Sequence, residues 1–359
     1  MSLGTLRLIC FRGYLDTTFQ FHPEVNLVTG PNACGKTTLL EAVYYLGHLQ
    51  SFRSSIPRTL IRRGEDRFII THRDSSSETI GISYENGRHR IRQDGVRIER
   101  RSQLLRRFPQ FLLHPGSHAV LEQGPVHRRR FMDQALFHVE QGYHSLVLRY
   151  HHILKQRNAS LRKGDPELAE SWDDQLAELG ESINRLRRRF IEWISANQDA
   201  SPLHGHFAGM DVVLHPGWNE EDSLRTQLAN GVCQDLRLKQ TRKGPHKADI
   251  VFLQNGTAAR HRLSRGQSKL FLLHLIILSV LYLHREAGIT PMLLVDDLTS
   301  ELDPQGLDLA LDALSAVTQP SCQLFLTSTR TDLESRLKRR FMSNSRVFHV
   351  EQGRLQKMV

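Results

Sequence analysis

The stretch GPNACGKTT, residues 30–38, constrains this chain more than any other. It fits glycine, four residues, glycine, lysine, threonine. It follows a short β-branched run, VNLV, and leads directly into TTLLEAVYYLGHL, which reads as a helix. A strand–loop–helix setting separates a phosphate-binding loop from an incidental glycine-rich turn. The chemistry accounts for the spacing. Gly30 and Gly35 let backbone N–H groups curl round phosphate oxygens, with Pro31, Asn32, Ala33 and Cys34 forming the body of the loop, and the following helix N-terminus adds positive potential. Lys36 is then the cation for the β and γ phosphates of ATP, Thr37 supplies a hydroxyl to Mg²⁺, and Thr38 completes the first helical turn.

Three later stretches belong with it. MLLVDD, 292–297, is an apolar strand ending in two carboxylates. In a parallel sheet it is expected to end beside the loop at 30–38, with Asp296 as a second metal ligand and Asp297 orienting the attacking water. LSRGQSK, 263–269, precedes the apolar run KLFLLHLIILSVLYL, so Ser264 reads as a helix N-cap. SELD, 300–303, follows the two aspartates at once. The order of the four motifs is more specific than any one of them, and it resembles the nucleotide-binding head of the ABC ATPase superfamily. That resemblance implies an ATP-hydrolysing α/β head in which Ser264, Gly266 and Gln267 reach the γ-phosphate of ATP held by a second copy. Asp303 joins the nucleotide-binding set, and Lys36, Asp296 and Asp297 carry the reaction.

The organisation agrees with an α/β head interrupted by helices. TLRLICF, FRGYLDTTFQF and VNLV read as strands, and IRQDGVRIE as a hairpin turning at Asp94-Gly95. Helical patterns begin near 125. One helix is read from YHSLVLRYHHILKQRNASLRK. Another begins with Asp165 as N-cap and Pro166 at its first position, with an apolar stripe of Leu168, Trp172, Leu176, Leu179, Ile183, Leu186 and Phe190. Arg185, Arg187, Arg188 and Arg189 fall mostly off that stripe. Strand-like runs return after 205. The expected division is an ATPase domain of 1–124 with 205–359, and a helical insertion at 125–204.

A net charge of +10 points to a polyanionic partner. The N-terminal MSLGTLRLICF lacks the pattern of a signal peptide. The apolar run from Leu270 to Leu283 is broken by His274 and is short for a membrane span, so no membrane partner is expected. Four scattered cysteines without metal-type spacing suit a reducing cytoplasm.

FRGY, GPNACGKTTLLEAVYYLG, SFRS, GPVHRRRFMD, LKQRNASL, GPHKAD, LSRGQSKL and DDLTSELD, spread over most of the chain, resemble the RecF family of bacterial recombination-repair ATPases. The resemblance implies SOS-linked repair of single-strand gaps and stalled forks, an ATP-dependent homodimer on DNA at single-/double-strand junctions, help in loading the recombinase, and RecO and RecR as partners. Two places depart from the family pattern: Cys34 stands where serine or another small or polar residue is usual, and HPGSH, 114–118, replaces Pro-Glu-Asp-Leu. Of the basic stretches, VHRRR (Arg128, Arg129, Arg130), NRLRRRF (Arg187, Arg188) and RHRIRQDGVRIERR are candidates for contact with DNA phosphates. Aromatics are not interleaved with them, which favours backbone contact over base stacking. The rival readings are an ABC transporter ATPase subunit, which generally carries a switch histidine where this chain has Thr327, Ser328 and Thr329, and a P-loop small-molecule kinase, which leaves LSRGQ and SELD unexplained. Slow, DNA-stimulated hydrolysis is expected, because Asp297 is one methylene shorter than the glutamate usual after the metal-binding aspartate.

Overall fold

The computed structural model describes residues 2–74, 78–99, 101–318, 322–330, 332–341, 344–351 and 353–358. The chain divides into two compact units, one of 1–117, 265–284 and 288–359, the other of 118–264 and 285–287. This corrects the expected division. Residues 205–264 leave the ATPase unit because the strands Met210–His215, Asp249–Gln254 and Thr257–Ala258 pair only with one another, as a separate three-stranded sheet.

The first unit holds two six-stranded sheets. In the mostly parallel sheet the order is 354–358, Ser345–Glu351, Val25–Thr29, Leu324–Ser328, Met292–Val295 and Gln110–Leu113. All pairs are parallel except the outermost one, between 345–351 and 354–358. Val25–Thr29, Met292–Val295 and Leu324–Ser328 are buried at every position, which is why they read as continuous apolar runs rather than alternations. The strand before the phosphate loop is therefore not beside the strand of the two aspartates. Leu324–Ser328 lies between them, and Thr327 from that strand links the two ends.

The second sheet is antiparallel, in the order Tyr14–Gln20, Thr5–Phe11, Arg67–Arg73, Thr79–Glu85, Arg88–Gln93 and Val96–Arg97. One face (Leu6, Leu8, Phe68, Ile70, Ile82, Tyr84, Ile91) joins the core that also takes Leu39, Leu40, Val43 and Leu46 from the helix Lys36–His48. The register fixes the other face. Thr5 pairs with Arg73, Arg67 with Glu85, Glu85 with Arg88, Ser83 with Arg90, Gly81 with Arg92, and Arg92 with Arg97. Directly opposed residues share a face. Arg7, Arg67, Arg73, Arg88, Arg90, Arg92 and Arg97 thus project outward, all exposed, with Asp16 and Glu85 as the acids among them. The hairpin turn falls at Asp94-Gly95, both at positive φ (47° and 83°), as its sequence requires.

In the second unit the helices Tyr143–Lys163 and Asp173–Ala196 pack on each other and on Leu224–Leu238. Asp165 caps a short helix, Pro166–Glu170, by accepting the Leu168 N–H at 2.9 Å. The chain then turns at Ser171–Trp172, so the apolar stripe expected from Leu168 begins in effect at Leu176, and Leu168 is left 42% exposed. Arg157 is fully buried and donates to Asp173 (2.7 Å), Asp235 (2.7 Å) and Thr241 (2.9 Å), tying the three helices through one guanidinium.

The helix Arg265–Ala287 has 23 residues and is by length and composition apolar enough to cross a membrane, longer than the run Leu270–Leu283 suggests. Within its most apolar window 83% is buried inside the protein, as a core helix would be.

Candidate nucleotide site

The phosphate loop leaves the buried strand Val25–Thr29 and enters the helix at Lys36. Gly30 has φ 149°, and a Cβ there would sit 2.3 Å from the Val350 carbonyl oxygen, so no other residue fits this start of the loop. Lys36 is 7% exposed and folds back on the loop, donating to the carbonyls of Gly30 (2.9 Å) and Pro31 (2.7 Å). Cys34 is buried against the lysine, with Lys36 Nζ 4.0 Å from its Sγ.

Thr37 Oγ1 donates to Asp296 Oδ1 at 3.0 Å, and Thr327 Oγ1 donates to the same oxygen at 2.7 Å. Burial holds the Asp296 carboxyl above the usual carboxylate range, and these two hydroxyl donors offset only part of that rise. A buried anion held by two hydroxyls suits replacement of one donor by a divalent cation, so Thr37 and Asp296 fit Mg²⁺. Among the described residues no group of three or more His, Cys, Asp or Glu side chains could hold a metal unaided, and a phosphate-bound Mg²⁺ does not need one. Asp297 follows in the left-handed region (φ 51°), its N–H bound to Thr327 Oγ1 at 2.7 Å.

Asn32, Ala33, Gly35, Lys36, Thr37, Thr38 and Asp297 line one cleft of about 490 Å³ with Thr327 and Thr329. Arg12 and Arg53 line it too, and the sequence reading missed both as site residues. Their signal was confined to FRGY and SFRS, which earlier served only as marks of resemblance. Glu41, fully buried in the loop's own helix, takes Arg12 in a two-point pair at 2.5 and 2.7 Å, accepts from Ser51, and lies 3.7 Å from Arg53. One buried acid thus aims two guanidiniums at the cleft. His114, the first residue of HPGSH, leaves the sheet at the level of Asp296, since Leu113 pairs with Val295. Burial pushes its pKa down to about 4, so it is a neutral imidazole at pH 7.

Gly266, Gln267 and Asp303 are not among the residues lining the cleft. Ser264 stands directly before the helix that starts at Arg265, the N-cap position, and belongs to the second unit. Gly266 lies against the loop after the aspartates: a Cβ there would meet the Glu301 carbonyl oxygen at 2.6 Å. Asp303 caps the helix Pro304–Thr318, accepting the Gly306 N–H at 2.7 Å.

Two arginines assigned to DNA are corrected. Arg128 is 8% exposed and doubly bonded to Asp249, at 2.6 and 3.0 Å. Arg187 is 4% exposed and gives both arms to Asp133, at 3.0 Å each, and a third bond to the Pro245 carbonyl at 2.7 Å. Both are buried with Nε, Nη1 and Nη2 all engaged inside the fold, which leaves them poorly placed to take a phosphate. Arg188 pairs with Glu220, and half-buried Arg129 donates to the Ala248 carbonyl at 2.7 Å. Of the five, Arg130 is the exposed residue. GPVHRRRFMD and GPHKAD are therefore bound to each other, through Arg128 to Asp249 and Arg129 to Ala248.

A family model described as RecF/RecN/SMC N terminal domain matches residues 2–356. The chain is 33% identical to a protein called DNA replication and repair protein RecF from Coxiella burnetii (strain CbuK_Q154), over 98% of both chains. It is 32% identical to one of the same name from Shewanella baltica (strain OS155 / ATCC BAA-1091), over 99% of both. A solved structure of the recombination mediator protein RecF with ATP, in the RecFOR pathway, superposes with a TM-score of 0.82 at 26% identity, covering 100% of this chain and 98% of that one. A solved Smc head bound to the C-winged helix domain of ScpA has a TM-score of 0.61 at 15% identity, covering 100% and 97%, a likeness of fold. These relatives do not favour a transporter subunit or a small-molecule kinase. On the full-length match and a phosphate loop whose threonine meets a strand-end aspartate, the chain belongs to the RecF family of DNA replication and repair proteins, with the fold of an ABC-type ATPase head.

Proposed function

We propose that this chain is a cytoplasmic, ATP-dependent DNA-binding protein of recombinational gap repair, in which ATP joins two copies into a clamp on DNA and hydrolysis releases it. One observation carries the dimer: the cleft has the phosphate loop and Asp297 but not Gly266, Gln267 or Asp303. Half of an ABC-type site lies elsewhere on the same chain, and a second copy supplies it. Lys36, Arg12 and Arg53 bind and neutralise phosphate oxygens, and Asp297 orients water. Mg²⁺, held by Thr37 and Asp296, would neutralise charge developing on the β- and γ-oxygens.

Ser264→Arg tests this directly. The variant should bind ATP as wild type does, since its own phosphate loop is intact, and should neither dimerise with ATP nor hydrolyse it. Mixed with Lys36→Met it should regain at most one composite site per heterodimer. Wild-type ATP-dependent dimerisation in sedimentation would reduce Ser264 to a helix cap.

The outward arginines of the antiparallel sheet support DNA as the partner. Arg92 directly opposes Arg97 across the strands. Like charges so placed are destabilising unless an anion lies between them. Seven arginines against two acids on one face suit a phosphate backbone. Charge reversal at Arg88, Arg90 and Arg92 should flatten the log K against log salt slope by roughly 0.9 per lost phosphate contact on duplex DNA. An unchanged slope moves the DNA site off this face. RecO and RecR are the expected protein partners, as the solved relative is described within the RecFOR pathway. Single-/double-strand junctions are the expected DNA.

Hydrolysis is expected to be slow and DNA-stimulated. Asp297 is short, and Thr327, which stands near where a switch histidine would, is committed to Asp296. Basal turnover should fall below the about 1–100 s⁻¹ usual for kinases.

A further inference from the structure

Lys269 is 4% exposed and lies in the helix that begins at Arg265. Its ammonium donates to the Asp297 carbonyl at 2.6 Å, the Ser300 carbonyl at 2.9 Å and Ser300 Oγ at 2.9 Å. All three acceptors belong to the loop that follows the catalytic strand. Burial pushes its pKa down to about 8, against the pull of Asp297, Glu301 and Asp296. A buried ammonium is costly unless its donors are used, and here each is used on the same short segment.

That segment needs holding. Asp297 (φ 51°) and Glu301 (φ 65°) both sit in the left-handed region. Asp tolerates it; Glu does so poorly, and such residues persist where surroundings over-determine them. Gly266, three residues before Lys269 and so on the same face of the helix, has the Glu301 carbonyl oxygen where a side chain would stand. The first two turns of this helix therefore grip the loop at both ends, by contact at Glu301 and by charge at Asp297 and Ser300.

We propose that Lys269 is a positioning residue for hydrolysis: it fixes the loop 297–301, and so the aim of the Asp297 carboxylate, from the N-terminal end of the helix Arg265–Ala287. Whatever moves that helix end moves Asp297 through one ammonium. This rests on the role given to Asp297 above.

In the full chain, Lys269→Met should lower kcat at least about tenfold, since an error near 1 Å can cost ~10²-fold. Affinity for a fluorescent ATP analogue should stay within about threefold, because the phosphate loop is untouched. Amide exchange should rise over 297–301. In an Asp297→Asn background the change should add less than about twofold in single-turnover phosphate release, as residues acting as one unit are not additive. A kcat at the wild-type level, an affinity loss that accounts for the rate loss, or losses that multiply in the double variant would each overturn the proposal. If Lys269→Met does not fold, Ser300→Ala, which withdraws one acceptor and leaves the charge, carries the same criteria, with a fall of about threefold in kcat expected and wild-type turnover overturning it. An Asp297→Asn protein as active as wild type removes the Asp297 reading and this proposal together. An inactive Asp297→Asn protein beside a fully active Lys269→Met protein removes this proposal alone.

Discussion

Lys36→Met should weaken ATP binding by at least about 100-fold while the fold survives. The estimate follows from two charge-assisted contacts to phosphate at about 1.5–3 kcal/mol each. Methionine keeps the length of the stem and loses the ammonium. The variant also leaves the Gly30 and Pro31 carbonyls without their 2.9 and 2.7 Å donor, so the loop loosens locally. The surrounding core does not depend on it: Leu39, Leu40, Val43 and Leu46 remain buried under the antiparallel sheet. Titration calorimetry with ATP and a thermal unfolding scan check the two halves of the expectation. Wild-type affinity would remove the phosphate assignment, and a collapsed unfolding transition would make Lys36 structural.

The second large effect separates the two adjacent aspartates. Asp297→Asn should cut turnover by about 10²-fold or more, the usual contribution of a positioned base, and should accumulate an ATP-bound dimer. Asp296→Asn should lose both metal and dimer. The asparagine is isosteric and its carbonyl can still accept from Thr37 and Thr327, which hold the aspartate at 3.0 and 2.7 Å. What it lacks is the charge a divalent cation needs. Phosphate release and sedimentation with ATP and Mg²⁺ distinguish them; equal behaviour of the two variants would dissolve the division of roles.

The phosphate loop and the all-buried strands were legible because each is a local pattern with a local cause. Gly30 is demanded by a carbonyl 2.3 Å from where a Cβ would be, and VNLV by burial on both faces. Arg128 and Arg187 were misread for the opposite reason. A cluster of arginines looks the same whether its acids are in solution or folded against it, and the acids here, Asp249 and Asp133, come from other elements. Arg12 and Arg53 were invisible as site residues because the acid that aims them, Glu41, sits unremarked in an apolar helix. The domain boundary failed because alternation marks a strand without saying which sheet it joins, and Met210–His215 and Asp249–Gln254 chose each other.

The parallel pairing has a consequence for how the chain is made. The strand that launches the phosphate loop, Val25–Thr29, has as its neighbours Leu324–Ser328 and Ser345–Glu351. During synthesis from the N-terminus it emerges well before the two strands that flank it. Loop closure over so long a stretch is entropically costly, and contacts so distant in sequence form slowly. Until those strands are made, the nascent chain carries its phosphate-loop sequence without either neighbour of the strand that launches it. The second unit, most of it one continuous stretch from 118 to 264, has by then been able to fold. A chain cut short before Leu324 lacks both neighbours of Val25–Thr29, and by the reading above it should not hold ATP or close on DNA.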